Sequence, residues 1–264
     1  MNKLQKLYRR TGWHTVFSFD DEATSARTYL LGATSVQAIV NGLSTGIFYT
    51  GFLMGYGIDI VNLSILTVIP YLTTLFTLLT PYILDRFPKR RLILSIARIA
   101  YYAINILGIT LLPKLIIRQS YRIIGLTVIV FVANAINFLF AGYSPWHMPY
   151  ITPEIRTGYF SATAMASNLI GTVAALLTSL LTEQMDPVTR LRVFSNLRIV
   201  AFFIAMLDVY LLQKPKEPEY LLSSNKPSLI NIIKLPMQNR RFKRTMFIYF
   251  VYTLGANLTT SVIT

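Results

Sequence analysis

The feature that most constrains the fold is a series of long apolar segments, each with the roughly 20 residues that a helix needs to cross a bilayer. Short polar or charged stretches separate six complete segments, and a seventh apolar run reaches the last residue. The predicted spans are 28–54, 60–84, 92–112, 123–148, 158–182 and 193–213, with the seventh starting at 245 or 246. A soluble domain does not carry so many continuous apolar stretches, so the sequence predicts an all-α polytopic membrane protein.

Composition agrees with this class and excludes several others. Of the 264 residues, 53% are hydrophobic and 14% are charged. The net charge of +14 raises the possibility of nucleic-acid binding, but the basic residues form short clusters between apolar segments and match no nucleic-acid motif. With no cysteine, only two histidines and no catalytic motif, we expect no metal site, no cofactor and no enzymatic activity.

The distribution of lysine and arginine predicts the orientation, because cytoplasmic loops carry the excess of positive charge. Most basic residues precede the first span, follow the second or follow the sixth, which predicts a multi-pass plasma (inner) membrane protein with a cytoplasmic N-terminus. The loop between the third and fourth spans is a local exception. The basic residues assigned to the outer side are Lys114, Arg118, Arg122, Arg190 and Arg192.

A charged turn joins the second and third spans, within the stretch LLTPYILDRFPKRRLIL (78–94). Its ions are Asp85, Arg86, Lys89, Arg90 and Arg91. The excess of positive charge in cytoplasmic loops is one explanation of the four basic residues, but it does not explain the carboxylate. Asp85 therefore indicates a specific role for this turn.

The turn resembles the signature loop of the major facilitator superfamily, which has the approximate pattern Gly-x-Leu-Ala-Asp-Arg-x-Gly-Arg-Lys between helices two and three. Pro81 and Pro88 replace the two glycines. The resemblance implies the N-terminal half of a transporter, a bundle of six transmembrane helices formed by a 3+3 inverted repeat. It also implies that Asp85 and the four basic residues form a conformational latch against the other half. The matching positions are Ile83, Asp85, Arg86, Lys89 and Arg90.

A possible internal repeat pairs LLTPYILDRFPKRRL (78–92) with LLTEQMDPVTRLRVF (180–194), on opposite sides of the predicted membrane. The similarity is short, and chance is an equal alternative. The predicted organisation is a cytoplasmic segment (1–27), a six-helix bundle (28–213), a basic cytoplasmic linker with an interfacial helix (214–244) and a seventh helix (245–264). The resemblance implies that this seventh helix starts a C-terminal half that the sequence lacks.

Polar residues inside the spans are the candidates for solute contact, because their burial in a membrane is costly. Helical spacing places Gln37, Asn41 and Ser44 on one face of helix one, and Asn134 and Asn137 on one stripe of helix four. The family would place both helices around a central cavity, and neutral amides suit a neutral polar or amphipathic solute. Hydrogen bonding between helices is the alternative role.

Ionised groups inside the spans are few. Arg98 and Asp208 lie at similar predicted depth in the membrane and could form an ion pair. The alternative for Arg98 is that its long side chain extends to the membrane interface. Arg198 lies deeper in its span. Helices one and four have no central carboxylate. We therefore expect that a proton- or sodium-coupling residue lies outside this chain, or that the mechanism is uniport or exchange.

These observations lead to two functional hypotheses. The first is secondary transport of a small solute by an alternating-access permease, with the lipid bilayer and a second six-helix half as partners. The alternative is a truncated, transport-incompetent protein that acts by association with other membrane subunits.

Overall fold

The computed structural model describes residues 13–87, 89–217, 234, 238–248 and 251–252, and all regular secondary structure within these ranges is helical. The chain forms two compact units. The first comprises residues 1–77 and 89–220, and the second comprises 78–88 and 221–264.

The helices, in chain order, are α1 (Trp13–Val16), α2 (Glu22–Ser44), α3 (Gly46–Gly55), α4 (Ile60–Leu84), α5 (Arg90–Leu115), α6 (Gln119–Tyr150), α7 (Pro153–Thr182) and α8 (Pro187–Leu212). Residues 240–248 and 251–252 are also helical. Three of the long helices contain turns that are tighter or wider than an α-helical turn. These are a 3₁₀ segment at 74–79 in α4, a π segment at 103–108 in α5, and 3₁₀ segments at 138–142 and 148–150 in α6.

Among the residues that the structure describes, five helices, α4 to α8, are long and apolar enough to cross a membrane. They confirm the second to sixth predicted spans as helices of this kind. The predicted interfacial helix around 229–235 lies largely outside the described residues, as do residues 249–250 and 253–264 of the predicted seventh helix.

The prediction of one continuous first span is wrong, because the helix is interrupted at Thr45. We call this interruption the α2–α3 break. Thr45 is extended, with φ −126° and ψ −176°, and Gly46 follows with φ +62°. An L-residue with a side chain is disfavoured in this left-handed region, so glycine is the residue that suits the turn.

The first unit is held together by packing of α2 on α7 and α8, and of α6 on α4 and α5. Small residues allow α2 and α7 to approach closely: a Cβ added at Gly42 would lie 3.2 Å from the Cβ of Ala174. Such contacts between small residues are typical of membrane helices. Phe52, Leu66 and Leu126 belong to one buried cluster, and Val40 and Ile106 belong to another.

Aspartates cap three helix N-termini. Asp21 forms a capping box with Thr24, and the carboxylate of Asp186 accepts a hydrogen bond from the Thr189 backbone N–H at 2.9 Å. Asp59 accepts from the side chain and the backbone of Asn62. These caps satisfy N–H groups that have no partner within their own helix.

Candidate functional site

A groove of about 810 Å³ runs between the α2–α3 break and α7. Both walls carry small residues, which leave room, and neutral polar side chains that can donate and accept hydrogen bonds. Ala38, Ile47, Phe48 and Leu176 add apolar surface. The polar side chains are Asn41, Thr45, Ser167, Asn168, Thr172 and Ser179.

A second cavity of about 520 Å³ shares Ile47, Phe48 and Ser179 with the groove, and both lie in the first unit. Its two ionised lining residues are Glu183 and Arg190. The Arg190 guanidinium donates to the carbonyls of Thr182, Glu183 and Met185 at 2.9–3.2 Å, so it caps the end of α7. The groove itself has no charged lining residue in the described part of the chain.

Of the five residues predicted to form a substrate cavity, only Asn41 lines the groove. Ser44 is buried and donates to the Val40 carbonyl at 2.6 Å, and Asn134 is buried and donates to the Val130 carbonyl at 2.8 Å. Gln37 and Asn137 are half-buried and line neither cavity. The partner of α2 at the groove is therefore α7, whereas the resemblance implied helix four.

The sequence reasoning missed the polar residues that α7 contributes to the groove. Asn168 and Thr172 stand four residues apart and therefore share a helix face, which is the same pattern that identified Asn41. Ser167 and Ser179 stand at four-residue spacing with Gly171 and Ala175, and such a stripe of small residues favours close helix packing.

The residues of the predicted latch lie in both units. In the second unit, Asp85 is half-buried at the end of α4, and the Arg86 guanidinium lies 4.1 Å from the centre of the Tyr82 ring. In the first unit, Lys89 is exposed, Arg90 is half-buried, and the Arg91 backbone N–H donates to Glu217 Oε1 at 3.1 Å. The latch role remains a prediction.

Arg98 and Asp208 form a buried ion pair between α5 and α8. Arg98 Nε lies 2.7 Å from Asp208 Oδ2, and the Tyr102 hydroxyl donates to the same oxygen at 2.6 Å. Arg98 is only 5% exposed, so its side chain lies inside the bundle. Its guanidinium also lies over the rings of Phe140 and Tyr143, at 4.8 and 5.4 Å from their centres, a cation–π arrangement.

The arrangement of the described residues suits reversible binding of a neutral solute by hydrogen bonds and apolar contact. Within the described ranges, no three His, Asp or Glu side chains come together as a metal site would require. No protein-family model, no curated protein and no solved structure matches this chain. The function must therefore be argued from the groove and the buried charges.

Proposed function

We propose that this chain is the N-terminal half of a plasma-membrane permease of the major-facilitator type, which carries a neutral polar or amphipathic solute by alternating access. The observation that supports it is the groove, where amide and hydroxyl groups line a cavity between helices with otherwise apolar exposed surfaces. The proposed N-terminus is cytoplasmic, as the positive charge distribution predicts.

The physical argument is the cost of polar groups in hydrocarbon. Asn41, Thr45 and Asn168 are exposed, and an exposed amide facing lipid tails lacks hydrogen-bond partners. Polar residues in membrane helices generally face a bundle interior or a water-filled cavity. A solute pathway along the groove gives these groups such an environment.

Alternating access requires a second bundle that moves against the first around a site between them. We infer that a second six-helix half covers the groove, and that Asp85 and the basic residues after it contact that half. The transported solute is neutral in this proposal, because the groove offers amides and hydroxyls and no free ionised group among its described lining.

Solute binding by the purified chain in detergent or nanodiscs tests the proposal. A panel of neutral solutes is screened by the upward shift that a bound ligand produces in the unfolding temperature. Binding is the readout, because alternating access itself needs the second bundle. We expect Asn41→Ala and Asn168→Ala to weaken binding at least about tenfold, since each removes hydrogen bonds to a desolvated solute.

Asn137→Ala is the matched control, because Asn137 is a half-buried amide that does not line the groove. It should leave solute affinity unchanged. If Asn137→Ala weakens binding as much as Asn41→Ala, the groove is not the solute site. If no neutral solute binds the unaltered chain, solute transport by this site is contradicted.

One observation favours the alternative, an associating membrane protein without transport. In its most apolar window only 6% of α7 is buried, whereas the corresponding window of α8 is 39% buried. A helix with so few buried residues in this window presents a large face to lipid or to another protein. Cross-linking in native membranes separates the two hypotheses: a stable partner on α7, together with no solute binding, supports association.

A further inference from the structure

Arg198 is a buried cation that the solute hypothesis does not use. It lies near the middle of α8 and is 2% exposed. No carboxylate of the described residues lies within ion-pair distance of it, in contrast to Arg98. A buried charge without an ion partner must be stabilised by dipoles. The hydrogen-bond acceptors of Arg198 therefore show which parts of the backbone and which side chains it fixes in place.

Three hydrogen bonds join Arg198 to two other helices. Its Nη1 donates to the Ser44 carbonyl at 2.6 Å, and its Nη2 donates to the Asn105 carbonyl at 3.2 Å. Its Nε donates to the Thr110 hydroxyl at 2.9 Å. Ser44 is the last residue of α2, and Asn105 lies in the π segment of α5, so both carbonyls belong to irregular helical turns.

The hydrogen bond to the Ser44 carbonyl replaces a helical backbone hydrogen bond that is lost at the α2–α3 break. In a continuous helix the Ser44 carbonyl would accept from the backbone N–H of Phe48, four residues later. The turn at Thr45 and Gly46 prevents this. Arg198 supplies the missing donor, and its guanidinium also faces the rings of Tyr49 and Phe52 in α3, at 5.5 and 5.2 Å.

Arg198 thus contacts both sides of the break whose residues form one wall of the groove. Thr45, Gly46, Ile47 and Phe48 all line it and directly follow Ser44. We propose that Arg198 is a positioning residue, which fixes the α2–α3 break and thereby sets the shape of the solute groove. The consequence for solute affinity rests on the proposed function, whereas the effect on the break does not.

Local protection from thiol labelling tests the proposal, and the absence of cysteine makes every introduced cysteine unique. Ser44→Cys reports on the break. Ser95→Cys is the matched reporter elsewhere, because both serines are 5% exposed and both donate to the carbonyl four residues earlier. Labelling by a membrane-permeant maleimide is followed over time in nanodiscs.

Arg198→Lys keeps the charge but cannot donate to three acceptors in the fixed fork of a guanidinium. We expect it to raise the labelling rate of Ser44→Cys roughly tenfold or more, corresponding to about 1.4 kcal/mol of local opening, and to leave Ser95→Cys protected. Arg98→Lys is the control at the other buried arginine, and it should leave Ser44→Cys protected.

Two results would overturn the positioning role. One is an equal rise in the labelling of both reporters in Arg198→Lys, which would mean a general loss of folding; the other is no change in the labelling of Ser44→Cys.

If Arg198→Lys does not fold, Thr110→Val tests the same role, because it removes one acceptor alone. It should raise the labelling of Ser44→Cys by a smaller factor, and Thr110→Ser should restore protection. Labelling needs no solute, so its outcome is independent of the binding screen. Where a solute is found, Arg198→Lys should weaken its binding to the purified chain.

Discussion

The two buried arginines of this protein are stabilised in different ways. Arg98 pairs with the carboxylate of Asp208 and faces aromatic rings, whereas Arg198 is held by a hydroxyl and two backbone carbonyls. An ion pair can be replaced by apolar residues of similar volume, because each ion serves mainly to neutralise the other. A cation that satisfies carbonyls at irregular turns holds those turns in place, and its loss leaves the backbone without donors. The first arrangement joins two helices, and the second also shapes the groove.

The largest expected effect comes from breaking the ion pair. Asp208→Ala leaves Arg98 as a buried cation without its carboxylate, so we expect a loss of about 3–5 kcal/mol in the free energy of unfolding. The double variant Arg98→Met with Asp208→Leu should recover most of this loss. Chemical unfolding in mixed micelles, followed by far-UV circular dichroism, measures both. A double variant as unstable as Asp208→Ala would show that the pair does more than neutralise itself.

The second prediction concerns Arg198→Met, which removes the cation and leaves the Ser44 and Asn105 carbonyls without this donor. We expect a loss of about 1–3 kcal/mol, smaller than for Asp208→Ala, because no charge is left unpaired. No apolar second substitution should recover it, since the unsatisfied groups are backbone carbonyls. Recovery by an apolar substitution at Thr110 would contradict the difference between the two arginines.

The sequence predicted the ion pair better than it predicted the groove. Arg98 and Asp208 could be matched because opposite charges at similar depth in apolar spans have few other partners. The acceptors of Arg198 could not be found, because backbone carbonyls become available only where a helix is irregular. The NGLSTG stretch contains the glycine of the turn, but long apolar flanks outweighed it in the prediction of one span from 28 to 54. The residues at this interruption line the groove together with α7, a contact that the sequence did not predict.

The basic residues of the predicted outer side show the same limit of sequence reasoning. Arg122 donates to the carbonyls of Tyr56 and Ile116, and Arg190 caps the end of α7. The charge rule counts such arginines as loop charges that only set the orientation. Hydrogen bonding to carbonyls at helix ends gives them a structural role as well. The local exception to the charge rule, in the loop between the third and fourth spans, therefore has a physical cause at Arg122.

The third prediction tests the turn that Arg198 is proposed to hold. Gly46→Ala places a Cβ at φ +62°, where it meets no atom beyond the neighbouring chain within 4 Å, so its cost is conformational: about 1–2 kcal/mol. Gly158→Ala is the matched control, because that site is equally open and lies in α7 with ordinary helical geometry. It should stabilise the protein by up to about 1 kcal/mol. Thermal unfolding of both variants in the same nanodiscs compares them, and equal effects would contradict a strained turn at Gly46.

The smallest effect contrasts these buried charges with the exposed helix caps. The backbone hydrogen bond from Thr189 lowers the pKa of Asp186 below the ordinary value of 3.8. A carboxyl whose pKa is depressed by folding contributes stability that is complete above its unfolded pKa and is lost as pH falls through the folded pKa. We therefore expect a small decrease in unfolding temperature between about pH 5 and pH 3, reduced in Asp186→Asn, which keeps a capping oxygen without the charge. Unfolding temperatures of both proteins across this range measure the difference. Identical pH profiles would show that the Asp186 cap contributes nothing to the acid sensitivity.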